Sequence, residues 1–165
     1  MATGNTLIIF GAQNFQQPAT NFAFLGSRNS HPIISFADSG TPAALFSGII
    51  PRHYANGGIV ATVIWAAATS VTLTHVVRWG VTFERQEEAG TDIDADSFAT
   101  EKTVDDNPVG TSGALIYTTL SFTNSELDGI IAGEAFRLRV RRLNSGVTSN
   151  MTGAAQLSFV ELREA

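Results

Sequence analysis

A two-residue alternation in the last third of the chain constrains the fold more than any other sequence feature. Between residues 134 and 142, apolar side chains at even positions alternate with basic ones at odd positions: Phe136, Leu138 and Val140 against Arg137, Arg139 and Arg141. Successive side chains of a β-strand point to opposite faces, whereas a helix repeats every 3.6 residues. The segment is therefore predicted to be a strand with one buried face.

The same pattern recurs along the chain and predicts further strands near residues 58–67, 75–86 and 116–122, with a turn within 69–74. Shorter strands are predicted near 6–11, 31–36, 43–49 and 97–104. In the last strand, 155–163, Leu157 and Phe159 are predicted to face inward before the phase shifts to Val160 and Leu162, which predicts a β-bulge.

Helix signals are few. Thr123 and Glu126 have capping-box spacing, which predicts a helix of one or two turns. No repeat or low-complexity linker divides the 165 residues, so residues 1–165 are predicted to form one all-β domain, a sandwich or barrel. The most apolar stretch, 59–68, is half the length of a membrane-spanning helix, so no membrane segment is expected.

Charge is distributed unevenly between the two halves. Residues 1–82 carry four charged side chains and residues 83–165 carry 21, of which 14 are acidic and seven basic. A basic run such as that of residues 137–141 is compatible with nucleic-acid binding, but cross-strand ion pairs with the acidic neighbours are favoured. A pI near 5.0 and a single lysine, Lys102, also argue against a nucleic-acid partner.

Residues 1–50 carry only two charges but six of the eleven phenylalanines. Two interpretations stay open: these aromatics close one end of the sandwich, or residues 1–30 form an extended arm that packs on a neighbouring subunit, since interface centres favour aromatics and disfavour charge. Under the second interpretation, the partner-binding residues are predicted to be Leu7, Ile9, Phe10, Phe15, Phe22 and Phe24.

A search for catalytic chemistry finds none. The chain has no cysteine and no zinc-protease, nucleophile-elbow, phosphate-loop or dinucleotide motif, so no enzyme activity, catalytic residue or cofactor is predicted. Asp92, Asp94 and Asp96 alternate as calcium ligands can, but Ser97 and Thr103 stand where an EF-hand needs glycine and glutamate. A solvated acidic turn is favoured, and no metal site is predicted.

Five segments in order resemble a known group of proteins: Trp79–Arg85, Asp92–Ala99, Ala132–Arg141, Met151–Leu157 and Val160–Glu164. The series is similar to small proteins encoded by tailed bacteriophages and prophages. The resemblance implies a jelly-roll-like antiparallel β-sandwich acting as a head decoration (cement) protein. Such a protein would bind the major capsid protein on the virion exterior as a homotrimer, after synthesis in the host cytoplasm.

The expected function is therefore a structural virion protein that stabilises a capsid. The alternative is a carbohydrate-binding or adhesion module, including a tail or receptor-binding component. A sugar binder is expected to present aromatics with polar residues beside them on a solvated surface. The aromatics that could stack on a sugar ring include Tyr54, Trp65, Trp79 and Tyr117, and Tyr54 and Trp65 are the candidates for that surface.

Overall fold

The computed structural model describes residues 4–165 and consists almost entirely of β-strands. Two short 3₁₀ helices, Ala12–Asn14 and Asn124–Leu127, accompany ten strands. The strands are β1 (Thr6–Gly11), β2 (Phe24–Arg28), β3 (His31–Phe36), β4 (Ala43–Ile49), β5 (Ile59–Ala67), β6 (Val77–Gln86), β7 (Lys102–Asp106), β8 (Ile116–Phe122), β9 (Ala135–Leu143) and β10 (Ala155–Glu164). The predicted all-β fold with a very short helix after Thr123 is confirmed.

Two antiparallel sheets form a sandwich. The four-stranded sheet has the order β4-β9-β6-β7, and the six-stranded sheet contains the path β2-β3-β10-β5-β8. Strand β10 pairs with β5 along one side and with two strands in succession along the other. Its first part pairs with β3, as in Leu157 with Ile34, and its second part with β1, as in Val160 with Phe10.

The core lies between the sheets and follows the alternation of the sequence. The inward residues Phe136, Leu138 and Val140 of β9 are fully buried, as predicted. Trp65 from the six-stranded sheet meets Trp79 from the four-stranded sheet edge to face, with ring centroids 5.7 Å apart. Aromatic pairs in this geometry stabilise a core beyond the area they bury, so these two rings connect the sheets at the centre.

The bulge predicted in the last strand is confirmed, but its position differs from the expectation. The register of β10 against β5 shifts between Leu157 and Phe159, at Ser158. Because the extra residue precedes Phe159, that side chain points out of the sandwich and is 46% exposed. The prediction that Phe159 faces inward is therefore wrong.

Two of the three outward-facing arginines of β9 form ion pairs with acidic neighbours, as was favoured over nucleic-acid binding. Arg137 pairs with Glu84 of β6, and Arg141 pairs with Glu101 at 2.6 Å. Residues 97–101 were predicted to be strand but form an irregular segment that contacts β6. In this contact the Thr82 hydroxyl donates to the Ala99 carbonyl at 2.7 Å. The arginine face is consequently half-covered rather than openly solvated.

The phenylalanine-rich first part of the chain packs on the same chain. Strand β1 extends the six-stranded sheet, and the Ala23 amide donates to the Ala43 carbonyl at 2.9 Å. Phe10 lies in the core, stacked on Phe46 at 5.3 Å. Contact between residues 1–30 and a second subunit stays a prediction, and residues 1–3 lie outside the described range.

The other predicted partner-binding residues differ in how far they are exposed. Leu7 and Phe15 are half-buried against the core. Phe22 is also half-buried and meets Phe24 edge to face at 5.3 Å. Ile9 is 61% exposed and Phe24 is 62% exposed. Within residues 4–165, neither helix is long and apolar enough to cross a membrane.

Candidate functional site

Two exposed aromatic side chains lie in one row on the outer face of the six-stranded sheet, the face turned away from the core. Tyr117 of β8 is 64% exposed and Phe159 of β10 is 46% exposed. Both are register partners of Ile64 on the central strand β5. Neighbouring strands are about 4.8 Å apart, so the Cα atoms of Tyr117 and Phe159 are about 10 Å apart. Tyr117, Ile64 and Phe159 are called the aromatic row below.

The strand pattern explains why these residues face outward. Val63 and Trp65 lie in the core, so Ile64 between them faces the other side of the sheet. On β8, the hydroxyl of the buried Thr118 accepts a hydrogen bond from the Trp65 indole Nε1 at 2.8 Å. This buried bond joins β5 to β8 one residue from Tyr117. The core contact therefore fixes the orientation of the exposed tyrosine.

Polar side chains lie two residues further along each strand, about 7 Å from the aromatic row. Glu161 of β10 is in register with Thr62, which is in register with Thr119 of β8. The Thr6 hydroxyl donates to the Glu161 carboxylate at 2.5 Å. The Glu161 carboxylate and the exposed Thr119 hydroxyl thus supply acceptors and a donor beside the aromatic row, whereas Thr62 is only 5% exposed.

A cleft of about 340 Å³ adjoins the other side of the row, with Phe159 as one of its walls. Pro32, Ile33 and Leu115 add apolar walls, and Gln156 contributes an amide. The side chain of Arg28 fixes that amide, because its Nη1 donates to Gln156 Oε1 at 2.9 Å. The cleft is apolar with a few convergent polar groups, a composition typical of ligand sites.

Arg28 also holds the rim of this cleft together. Its Nη1 donates to the Ala67 carbonyl at 3.1 Å, and its Nη2 donates to the Ser112 hydroxyl at 2.6 Å. Gly113 lies directly over the guanidinium with φ +79°, and a Cβ there would lie 3.0 Å from the Arg28 Cζ. Only glycine combines this conformation with so close an approach. The β2–β3 hairpin is therefore tied to the 112–113 loop.

The aromatic residues predicted to contact sugar are not available for that role. Tyr54 is 3% exposed and Trp65 is 0% exposed. The Tyr54 hydroxyl donates to the Gly57 carbonyl at 3.0 Å, and burial raises the pKa of Tyr54 above its usual range. The prediction for these two residues is wrong, because both belong to the core. Tyr117 was identifiable as the outward residue of an alternating strand, whereas Phe159 was concealed by the bulge.

The three aspartates considered for calcium do not converge. Within residues 4–165, no three His, Cys, Asp or Glu side chains are placed to share a metal ion. The Asp92 carboxylate accepts a hydrogen bond from the Asp94 amide at 3.0 Å, and Asp96 pairs with Arg137 at 2.6 Å. The carboxylates present therefore do not fit a calcium site.

Comparison with known proteins gives matches among solved structures only. No protein-family model matches the chain, and no curated protein matches it. A family 35 carbohydrate binding module from Clostridium thermocellum has a TM-score of 0.57 and 9% identity, with coverage of 96% of this chain and 98% of that one. A carbohydrate-binding module of family 36, in complex with calcium and xylotriose, has a TM-score of 0.52 and 13% identity, with coverage of 94% and 99%.

A third solved structure is similar over the same extent. The C-terminal family 6 module of LamC, a marine laminarinase from Zobellia galactanivorans, has a TM-score of 0.52 and 10% identity, with coverage of 97% of this chain and 100% of that one. At these identities the likeness shows the fold. The predicted jelly-roll β-sandwich is confirmed.

The same comparisons correct the resemblance to phage virion proteins. The three structures described above match over nearly the whole length of both chains and are carbohydrate-binding modules, so the prediction of a capsid decoration protein is wrong. The major capsid protein and the homotrimer, which were expected as partners, are overturned with it. Four of the five segments that carried the resemblance lie wholly or partly in strands β6, β9 and β10, a feature that many sandwiches share, and Asp92–Ala99 lies in a loop. A virion location was expected only through that resemblance, and no finding tests it.

Proposed function

We propose that the chain is a non-catalytic carbohydrate-binding module whose ligand lies on the outer face of the six-stranded sheet. The observation that carries the proposal is the aromatic row, with Tyr117 and Phe159 exposed in one line and hydrogen-bonding side chains on either side. The three solved structures described above support it, because they are carbohydrate-binding modules and one was solved with xylotriose.

The chemistry of a sugar chain matches this surface. A pyranose ring has a C–H face that packs on an aromatic ring and an edge of hydroxyls that need partners. Tyr117 and Phe159 offer the packing surfaces, whereas Glu161 and Thr119 offer the hydrogen bonds on one side and Gln156 on the other. A site of this kind orients its ligand with a few polar groups and gains most of its affinity from apolar contact.

The row runs across the strands, and the cleft beside Phe159 lies toward one end of it. A glycan chain laid along the row would therefore extend from Tyr117 over Ile64 to Phe159. The separation of about 10 Å between the two aromatic Cα atoms leaves room for more than one sugar ring. We infer an oligosaccharide segment, rather than a single monosaccharide, as the ligand.

Affinity electrophoresis and calorimetry with xylan, laminarin and arabinogalactan test the proposal. At least one polysaccharide should bind the wild-type chain. Tyr117→Ala and Phe159→Ala should each weaken that binding about tenfold or more, because burying a large aromatic side chain contributes about 1.5–3 kcal/mol. Both side chains are exposed, so both variants should keep the wild-type unfolding temperature.

Ile49→Ala is the matched control, because Ile49 is 66% exposed on the outer face of the other sheet. It should bind the polysaccharide as the wild type does. The proposal is wrong if no polysaccharide binds, or if the two aromatic variants bind as tightly as Ile49→Ala.

A further inference from the structure

Arg139 is the middle residue of three outward-facing arginines on β9 and differs from both neighbours in its partners. Arg141 makes two parallel hydrogen bonds to Glu101, at 2.6 and 2.7 Å. Arg137 pairs with Glu84 and with Asp96. Arg139 has no carboxylate within ion-pairing distance among residues 4–165, and its Nε is buried without a hydrogen-bond partner.

The sheet register explains why Arg139 has no acidic partner. Its cross-strand neighbours are Leu45 on β4 and Thr82 on β6, neither of which is charged. The Thr82 hydroxyl donates to the Ala99 carbonyl at 2.7 Å and accepts no hydrogen bond from Arg139. A buried donor that has lost its water and gained no acceptor costs free energy. The Nε of Arg139 is such a donor.

An aromatic ring holds the Arg139 guanidinium in place. Phe98 lies against it with 4.4 Å between the guanidinium carbon and the ring centroid. Burial and the charge of Arg141 lower the pKa of Arg139, yet an arginine side chain keeps its charge at neutral pH. The group is thus an oriented cation whose forked donors are not saturated by the protein.

Arg139 lies in a cleft of about 180 Å³ on the outer face of the four-stranded sheet. Thr20, Asn21 and Thr41 line it, and their side chains carry hydroxyl and amide groups. Asp96 is the acidic residue among the lining residues, and Arg137 holds its carboxylate at 2.6 Å. The cleft therefore combines the unpaired Arg139 guanidinium with neutral polar side chains, and its other charged lining residues, Asp96 and Arg141, are each held in an ion pair.

We propose that this cleft binds an oxyanion, namely a carboxylate, sulfate or phosphate group of a small ligand, with Arg139 as the principal donor. An oxyanion accepts the forked hydrogen bonds of a guanidinium in one plane, and such charge-assisted bonds are about twice as strong as neutral ones. It would accept from the Arg139 Nη groups, which make no hydrogen bond among residues 4–165 and, unlike the Nε, are not buried. The site lies on the four-stranded sheet, whereas the aromatic row lies on the six-stranded sheet. The proposal therefore does not depend on carbohydrate binding at the aromatic row.

The direct test follows the Arg139 Nε–H resonance of the wild-type chain by nuclear magnetic resonance. Sodium sulfate, sodium phosphate, sodium glucuronate and neutral glucose are titrated separately at constant ionic strength. At least one anion should shift the resonance in a saturable way, whereas glucose should leave it unchanged. The pattern across the three anions identifies the source of the oxyanion, and any saturable anion response supports the site.

Arg139→Gln supplies the second measurement, since it assigns the resonance by its loss and removes the charge. It should weaken the binding of the responding anion at least about tenfold. Arg52→Gln removes the same charge from an exposed position and should bind as the wild type does. The proposal is overturned if no anion moves the wild-type resonance in a saturable way, or if the two variants lose affinity equally. The wild-type titration decides the matter even if Arg139→Gln fails to fold.

Discussion

Replacing Arg142 with methionine should lower the free energy of unfolding by about 2 kcal/mol. Arg142 is the inward residue that follows Val140 on β9, and it is fully buried. It donates to the backbone carbonyls of Gly153 at 2.7 Å and Phe36 at 3.3 Å, and also to that of Met151. One cation thus ties β9 to the end of β3 and to the loop that precedes β10.

The magnitude follows from two opposing contributions. The carbonyls of Gly153 and Met151 make the closest contacts, and leaving both without a donor costs about 1–3 kcal/mol each. Arg142 is 0% exposed, so its charge is itself desolvated, and this burial lowers the pKa of Arg142 to about 10. Removing this desolvated charge stabilises the fold by about 2 kcal/mol and so offsets part of the cost of the unpaired carbonyls. This gain is within the range seen when buried charges are replaced by apolar residues. A net loss of about 2 kcal/mol corresponds to about 4–8 °C for a domain of this size.

Urea and thermal unfolding followed by tryptophan fluorescence measure this loss, because Arg142 is in register with the buried Trp79. Arg78→Met on the neighbouring strand is the control. Its ion pair with Asp105 is half-exposed, so its loss should cost no more than about 1 kcal/mol. The reasoning fails if Arg142→Met is as stable as Arg78→Met, or more stable.

Two further results are expected. Gly80→Ala should lower the free energy of unfolding in urea by about 1–3 kcal/mol, because the new Cβ would lie 2.6 Å from the Glu101 carboxylate carbon. Gly57→Ala is the control and should leave the stability unchanged, because a Cβ there would have nothing within 4 Å. Equal stability of the two variants would contradict the packing described. The hydrogen bond from Arg85 holds the pKa of Glu134 below its ordinary 4.5, so this carboxylate stabilises the fold above that value and the contribution is lost as the pH falls through the folded pKa. Thermal melts in acid should therefore show a smaller loss of stability for Glu134→Gln than for the wild type, and identical slopes would refute the assignment.

The regular strands could be predicted because period-two alternation reports burial directly. Strands β1, β3, β4 and β8 coincide with the predicted segments. Strand β2 was missed, since its sequence Phe24–Arg28 contains a glycine and a serine and does not alternate. Its strand conformation comes from pairing with β3, which is tertiary information absent from the local pattern.

The candidate site was less predictable because it depends on the location of one extra residue. The phase shift in β10 signalled a bulge, but the sequence is compatible with a bulge on either side of Phe159, and the two positions give that side chain opposite directions. Trp65 was misassigned for a related reason. Strand β5 is apolar on both faces, so alternation could not distinguish its core side from its outer side.

The position of β10 has a consequence for how the protein is made. Its residues 155–164 pair with β5 on one side and with β3 and β1 on the other, so they occupy the middle of the larger sheet. During synthesis, β1, β3 and β5 leave the ribosome before β10. They therefore lack the strand with which all three pair until β10 has also emerged. The larger sheet can therefore be completed only late, by pairing between distant parts of the chain. Such long-range pairing favours slow folding, and the strand edges stay unpaired until it occurs. Expression yield should consequently respond more to changes in β10 than to equal changes in the edge strand β7.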